Sequence, residues 1–217
     1  MHRRNFESSN VYVIEPQSAR GKARLARMLE VATELFLRDG YEQTSIDAIL
    51  VRSGGSKATL YAYFPTKQDL FRAVIDSVVF NSQRPDEFDV AADARVVLTE
   101  FAASRLRVVL SPQHRAILGL IIAERERFPD LAAMYLERGP QRSHCLLVAH
   151  LEALRRHGHI DIADVNEAAE FFIGMLKQRW NAQLLLVAAP APSDAAIREH
   201  AERVVGRFLA AFARQTH

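Results

Sequence analysis

Apolar residues recur along this chain at the three-and-four spacing of one helical face, and no stretch alternates with the two-residue period of a half-buried strand. The first stripe, Leu25, Met28, Leu29, Ala32, Leu35 and Phe36, predicts a helix from about Lys22 to Asp39 that stops at Gly40. A short helix follows on Ile46, Ile49 and Leu50, capped by Thr44 or Ser45 and broken by Gly54 and Gly55. The next opens at Ser56, sends Leu60 and Phe64 to the core, and closes at Pro65, which cannot extend a helix. Thr66 and Asp69 then pair like a capping box at the start of a fourth helix, from about Lys67 to Asn81.

Beyond Arg84 and Pro85 the pattern stays helical, with predicted spans 88–110, 112–126, 129–138, 140–157, 164–188 and 194–214. Pro112, Pro129, Gly139-Pro140, Gly158, Pro190, Pro192 and Ser193 mark their ends, and Asp164 is a suitable cap. The last two helices carry wide apolar stripes: Phe171, Phe172, Met175, Leu176, Trp180, Leu184 and Leu185, then Ile197, Ala201, Val204, Val205, Phe208, Leu209 and Phe212. A face that wide serves the chain's own core with about half its residues, leaving the remainder for a four-helix contact between two copies.

Composition refines this picture. Of the 217 residues, 49% are hydrophobic and 25% charged, as in a globular protein with a substantial core. A net charge of +2 is too small for a protein that coats nucleic acid indiscriminately. The charge is uneven, however: Arg3, Arg4, Arg20, Lys22, Arg24 and Arg27 outweigh Glu7 and Glu15 in residues 1–28, so the rest of the chain is slightly acidic. Residues 1–20 lack a helical period and read as a flexible basic arm, with the VYVI run at 11–14 able to dock. No run of 18 apolar residues occurs and the N-terminus has no apolar signal core, so the expectation is a cytoplasmic protein that does not engage a membrane. The single cysteine, Cys145, cannot form an internal disulfide and is expected to be a small buried side chain.

The candidate chemistry lies between Thr44 and Lys67. Two short helices around a glycine turn form a helix-turn-helix, in which the first helix braces the second and the leading residues of the second reach the major groove. Lys57 and Lys67 bring positive charge to helix starts that already favour anions. Thr44, Ser45 and Thr59 offer hydroxyls to phosphates, Ser56 is among the leading residues of the second helix, and Tyr61 and Tyr63 offer rings with polar tips. Base reading falls to Ala58, Thr59 and Tyr61 on the outward face.

Residues 24–78 resemble the DNA-binding domain of TetR/AcrR-type transcriptional regulators. The likeness rests on an A-x-x-L-F-x-x-x-G-Y/F-x-x-T-S/T stretch at Ala32 to Ser45 and an S-K-x-T-L-Y-x-Y/H-F-x-x-K core at Ser56 to Lys67. Two positions depart from the family pattern: Gly55 stands where an apolar Val or Ile usually packs the turn, and Ala58 where Gly is frequent. Loss of the packing side chain predicts a locally soft turn, at a cost of about 1 kcal/mol or more. A looser likeness to a TetR-type C-terminal domain rests on A-E-x-x-R-F-P-D-L at Ala123 to Leu131, followed by Gly139-Pro140.

The resemblance implies an all-α fold: an N-terminal three-helix DNA-binding domain with a helix-turn-helix (21–66), a connecting helix (67–84) and a C-terminal helical ligand-binding and dimerisation domain (85–217). The implied function is a homodimeric regulator of palindromic double-stranded DNA, more often a repressor, released by a small apolar or amphipathic effector. Expected cavity residues are Phe101, Ile117, Ile121, Met134, His144, Val148, Phe171, Met175 and Trp180, with Arg105, His114, Arg125 or Lys177 to hold an anionic group. The competing classes are an enzyme and a helical protein-binding adaptor or ligand-binding protein without DNA function. Neither H-E-x-x-H nor E-x-x-H occurs among the eight histidines, so no metal or other cofactor is expected. Gly54-Gly55-Ser56-Lys57-Ala58 is like a nucleophile elbow but lacks the preceding strand.

Overall fold

The computed structural model describes residues 18–79, 93–180 and 190–212, and every regular element among them is helical. The chain divides into two compact units, the first ending at Ser77 and the second beginning at Val78. Among the described residues no single helix is long and apolar enough to cross a membrane.

The first unit holds α1 (Ala19–Gln43), α2 (Ile46–Ser53), α3 (Lys57–Tyr63) and most of α4 (Lys67–Val79). Helix α1 starts earlier than its apolar stripe suggests, because Ser18 accepts the Gly21 N–H at 3.1 Å as its cap. Ala19 and Arg20 therefore belong to the helix, with Ser18 as its cap; the rest of the expected arm lies outside the described residues. Gly40 breaks the helix without ending it. Its φ of 83° with ψ of 169° is open essentially to glycine alone. The break turns Tyr41 inward, its ring 5.8 Å from Phe36 and 5.0 Å from Phe71, so that α1 and α4 share an aromatic core.

Serine side chains set the next two helix starts. Ser45 accepts the Ala48 N–H at 3.1 Å and Ser56 the Thr59 N–H at 3.1 Å. Gly54 ends α2 in the left-handed region, its N–H donating to the Leu50 carbonyl at 2.9 Å. Thr66 and Asp69 close the capping box reciprocally, each side-chain oxygen accepting the other residue's backbone N–H at 3.1 Å.

The soft spot expected at Gly55 is absent. A Cβ built on Gly55 would stand 2.2 Å from Met28 Cε and 3.2 Å from Leu50 Cδ2. Met28 is fully buried, and its unbranched side chain reaches from α1 into the volume that an apolar turn residue would fill. The turn is packed, by a residue 27 positions upstream in sequence.

The second unit holds α5 (Ala94–Leu110), α6 (Pro112–Glu124), α7 (Pro129–Leu136), α8 (Arg142–Arg156), α9 (Val165–Lys177) and α10 (Asp194–Phe212). Helix α5 is its axis, packed by α6, α8, α9 and α10, and its buried residues consequently fall on several faces. Asp93 caps α5, so the described helix starts later than the span expected from 88, and residues 80–92 lie outside the described set. The predicted helix 164–188 is seen through Lys177, with Leu184 and Leu185 also outside that set.

Three expectations for this unit change. Gly139-Pro140 does not separate two helices: a single π-helical turn, Glu137–Gln141, carries the chain from α7 into α8. Proline removes one N–H from the helical ladder, and the wider register accommodates the loss. Cys145 is exposed, because α8 buries Leu147, Leu151 and Leu154 and the cysteine lies off that face. Most of the terminal stripes belong to the chain's own core: Phe172, Leu176 and Trp180 on one side and Ile197, Ala201, Val204, Val205 and Phe208 on the other are all buried in a single copy. Phe171, 56% exposed, is the large apolar residue of α9 that this core leaves out.

Candidate nucleic-acid interface and ligand cavity

Helix α3 is two-faced. Leu60 and Phe64 are fully buried, while Lys57, Ala58, Tyr61 and Ala62 are exposed, Tyr61 by 44%. The outward face is thus an ammonium, two methyls and a phenol ring on a short helix anchored by its apolar side. Thr59 and Tyr63 are half-buried at the margins. The Thr59 hydroxyl shares a hydrogen bond with the Ser56 hydroxyl at 2.8 Å, so both are oriented by the cap.

The charges on this face are held in place. Lys57 Nζ lies 2.8 Å from Asp47 Oδ1, an ion pair from α3 back to the first turn of α2. The hydrogen bond and charge of Asp47 raise the Lys57 pKa above its ordinary value, so the group stays cationic at neutral pH. Both side chains are well exposed, which makes the pair a weak, solvent-screened tether. Lys67 Nζ donates to the Glu42 carbonyl at 3.1 Å and sits 4.5 Å from the centre of the Tyr41 ring. Ser45 is exposed at the cap of α2.

Thr44 is placed differently from the surface contact expected of it. It is buried, and its hydroxyl donates to the Gly40 carbonyl at 2.8 Å, so its side chain braces the end of α1 beneath the interface. Two features of this face escaped the sequence reading. Asp47, an acidic residue in a helix first turn, has an ordinary role at that site and gives no signal of its cross-helix partner. Val51, 83% exposed, is an apolar side chain that lies off the stripe of Ile46, Ile49 and Leu50, on the outer side of α2.

In the second unit a cavity is lined by Val79, Phe101, Arg105, Val108, Val109, His114, Tyr135, Gly139, Pro140, Ser143, Ile173, Leu176 and Lys177. Phe101 and three of the four anchors proposed from sequence, Arg105, His114 and Lys177, meet there. The fourth, Arg125, is exposed and donates to the Ile122 carbonyl at 2.5 Å. Ile117 and Ile121 are buried core residues of α6 outside the cavity. Met134, His144 and Val148 are half-buried and also outside it, although Tyr135 and Ser143, neighbours of the first two, are part of the wall. Phe171 is at the surface, Trp180 is core against His200 with ring centroids 4.4 Å apart, and Met175 lines a separate, more polar cleft with Arg179, Arg203 and Arg207. Helical periodicity identifies an inward face, but which inward residues border a void depends on how neighbouring helices diverge.

The polar groups of the cavity are perturbed by burial. His114 is 3% exposed; desolvation, with a smaller contribution from the Lys177 charge, lowers its pKa to about 4, so the ring is neutral. Its Nε2 is 2.9 Å from the Tyr135 hydroxyl, and burial pushes that phenol up to about 12. Burial also lowers the Lys177 pKa. Arg105, 7% exposed, lies 5.7 Å from the centre of the Phe101 ring.

Residues 28–74 match the family of bacterial regulatory proteins called tetR, and residues 96–214 match the C-terminal domain of AefR-like transcriptional repressors. The flavonoid-responsive regulator FrrA is 31% identical, with a TM-score of 0.74 over 89% of this chain and 99% of its own. A TetR-family transcriptional regulator from Mesorhizobium loti is 25% identical, with a TM-score of 0.75 over 91% of this chain and all of its own. The DNA-binding transcriptional repressor TetR of Mycobacteroides abscessus is 37% identical over 59 residues; that match spans 31% of the repressor's length. Both units are thereby accounted for, one by each family model, and the chain belongs to the TetR family of bacterial transcriptional regulators.

Proposed function

We propose that the protein is a cytoplasmic, homodimeric transcriptional repressor that binds a palindromic operator through α3 and is released by a small ligand in its second unit. The observation that carries the DNA reading is the two-faced α3, anchored by Leu60 and Phe64 and presenting Lys57, Ala58 and Tyr61 outward. Lys57, Ser45, Ser56, Tyr63 and Lys67 supply phosphate contacts, and Ala58, Thr59 and Tyr61 read bases. Phe171 and Met175 on α9, flanked by Arg179, Arg203 and Arg207, offer the surface for a second copy. Two-fold pairing places two α3 helices about 34–36 Å apart, one turn of the duplex.

Ligand release requires a molecule that binds the DNA-incompetent arrangement more tightly than the competent one. The apolar cavity with a few polar groups supports an amphipathic effector, and the likeness to a flavonoid-responsive regulator supports an aromatic one. The test is selection of bound fragments from genomic DNA, followed by affinity measurements on the selected site. The Lys57→Ala/Tyr61→Ala double variant is expected to lose most operator affinity while remaining folded and dimeric. Unchanged affinity in that variant, or binding insensitive to salt, refutes the DNA reading and favours a protein-binding adaptor.

A further inference from the structure

The cavity of the second unit is chemically one-sided. Its body is apolar, from Phe101, Val108, Val109, Ile173 and Leu176, yet Arg105 and Lys177 both line it, and no carboxylate is found among the described residues of its wall. Lys177 makes no hydrogen bond or ion pair among the described residues, and it is half-buried beside a neutral imidazole. An ammonium placed in such a site gives up hydration without receiving a counter-charge, which is the physical reason its proton is held less tightly. His114 presents a second unfilled requirement: with Nε2 engaged by Tyr135, its buried Nδ1 has no partner among the described residues. When the phenol donates to Nε2, the ring carries its proton on Nδ1 and offers it as a donor.

Free space in the cavity is only about 50 Å³, room for water and far below the roughly 300–1,000 Å³ that holds a drug-sized molecule. A ligand must therefore move a wall. Gly139 and Pro140 of the π-helical turn belong to that wall, and Pro140 cannot donate to the helical ladder, so one backbone hydrogen bond fewer resists displacement there.

We propose that the cavity takes an amphipathic monoanion, an apolar body bearing one carboxylate that is answered by Lys177 and Arg105 and oriented by the His114–Tyr135 pair. The proposal deepens the ligand-responsive reading above and rests on it. A carboxylate matches the unanswered ammonium of Lys177 and one neutral donor in an otherwise apolar enclosure; an uncharged ligand of the same shape leaves Lys177 half-buried without a counter-ion.

The test is calorimetric titration of the full chain with matched acids and amides: phenylacetate against phenylacetamide, and octanoate against octanamide. In each pair the acid is expected to bind at least about tenfold more tightly. Lys177→Met, checked by circular dichroism, is expected to remove most of that preference, with Arg105→Gln as the second variant. Equal affinity of acid and amide, or a preference that survives both substitutions, overturns the anionic class while leaving a ligand-binding cavity. Absence of binding by both members of both pairs overturns it as well. A neutral flavonoid that then releases operator DNA preserves the ligand-responsive reading, and failure of that release ends both.

Discussion

Replacement of Gly55 by Val tests how the turn between α2 and α3 is packed. The backbone poses no obstacle, since Gly55 is not among the glycines with positive φ. The obstacle is Met28, whose Cε would lie 2.2 Å from the new Cβ. Gly55→Val alone forces that side chain out of a filled site and is expected to destabilise by about 1–3 kcal/mol. Met28→Ala alone empties a fully buried position and is expected to cost about 2–5 kcal/mol. The double variant removes Cγ, Sδ and Cε of Met28 and returns Cβ and two methyls of valine to the same volume, a swap expected to cost less than about 1.5 kcal/mol. The cycle therefore yields a favourable coupling of about 1.5 kcal/mol or more. Urea unfolding followed by far-ultraviolet circular dichroism, at one fixed protein concentration, measures the four stabilities. Costs that add within about 0.5 kcal/mol would show that the two residues do not compete for one space, and the packing argument would fail. Operator affinity provides the functional readout, because α3 is held against α2 through this turn.

Other outcomes follow from the charges. Asp47→Asn frees Lys57 from its ion pair and is expected to raise affinity for operator and unrelated DNA alike, by up to about fivefold at low salt; affinity that is unchanged or lower would show that Asp47 does not compete with phosphate. Lys57→Ala should do the reverse and lower the salt slope by about one, measured by fluorescence anisotropy across a salt series. His114 has a folded pKa of about 4 against an ordinary 6.5, so below 6.5 the unfolded chain takes up a proton that the folded chain refuses. Stability contributed by this group is complete above pH 6.5 and lost as pH falls toward 4, by up to about 3 kcal/mol. His114→Gln should flatten that part of the pH–stability curve; superimposable curves would remove His114 as the cause.

The sequence by itself determined most of the elements and the outward-facing side of α3. Helical spacing, serine caps at Ser45 and Ser56, the left-handed stop at Gly54 and the capping box at Thr66 and Asp69 are local: each depends on residues within one turn of one another. Which face of α3 turns outward follows from the same periodicity, since Leu60 and Phe64 fall together on the other side. Tertiary structure alone decided the rest, because those outcomes depend on residues brought together from distant positions. Met28 fills the space over Gly55 from α1, Asp47 holds Lys57 across the turn, and Thr44 is buried with its hydroxyl donating back to the Gly40 carbonyl. The cavity is the extreme case: Phe101, His114, Tyr135 and Lys177 come from four helices, and a void between helices is set by where their packing falls short, which no single helix encodes.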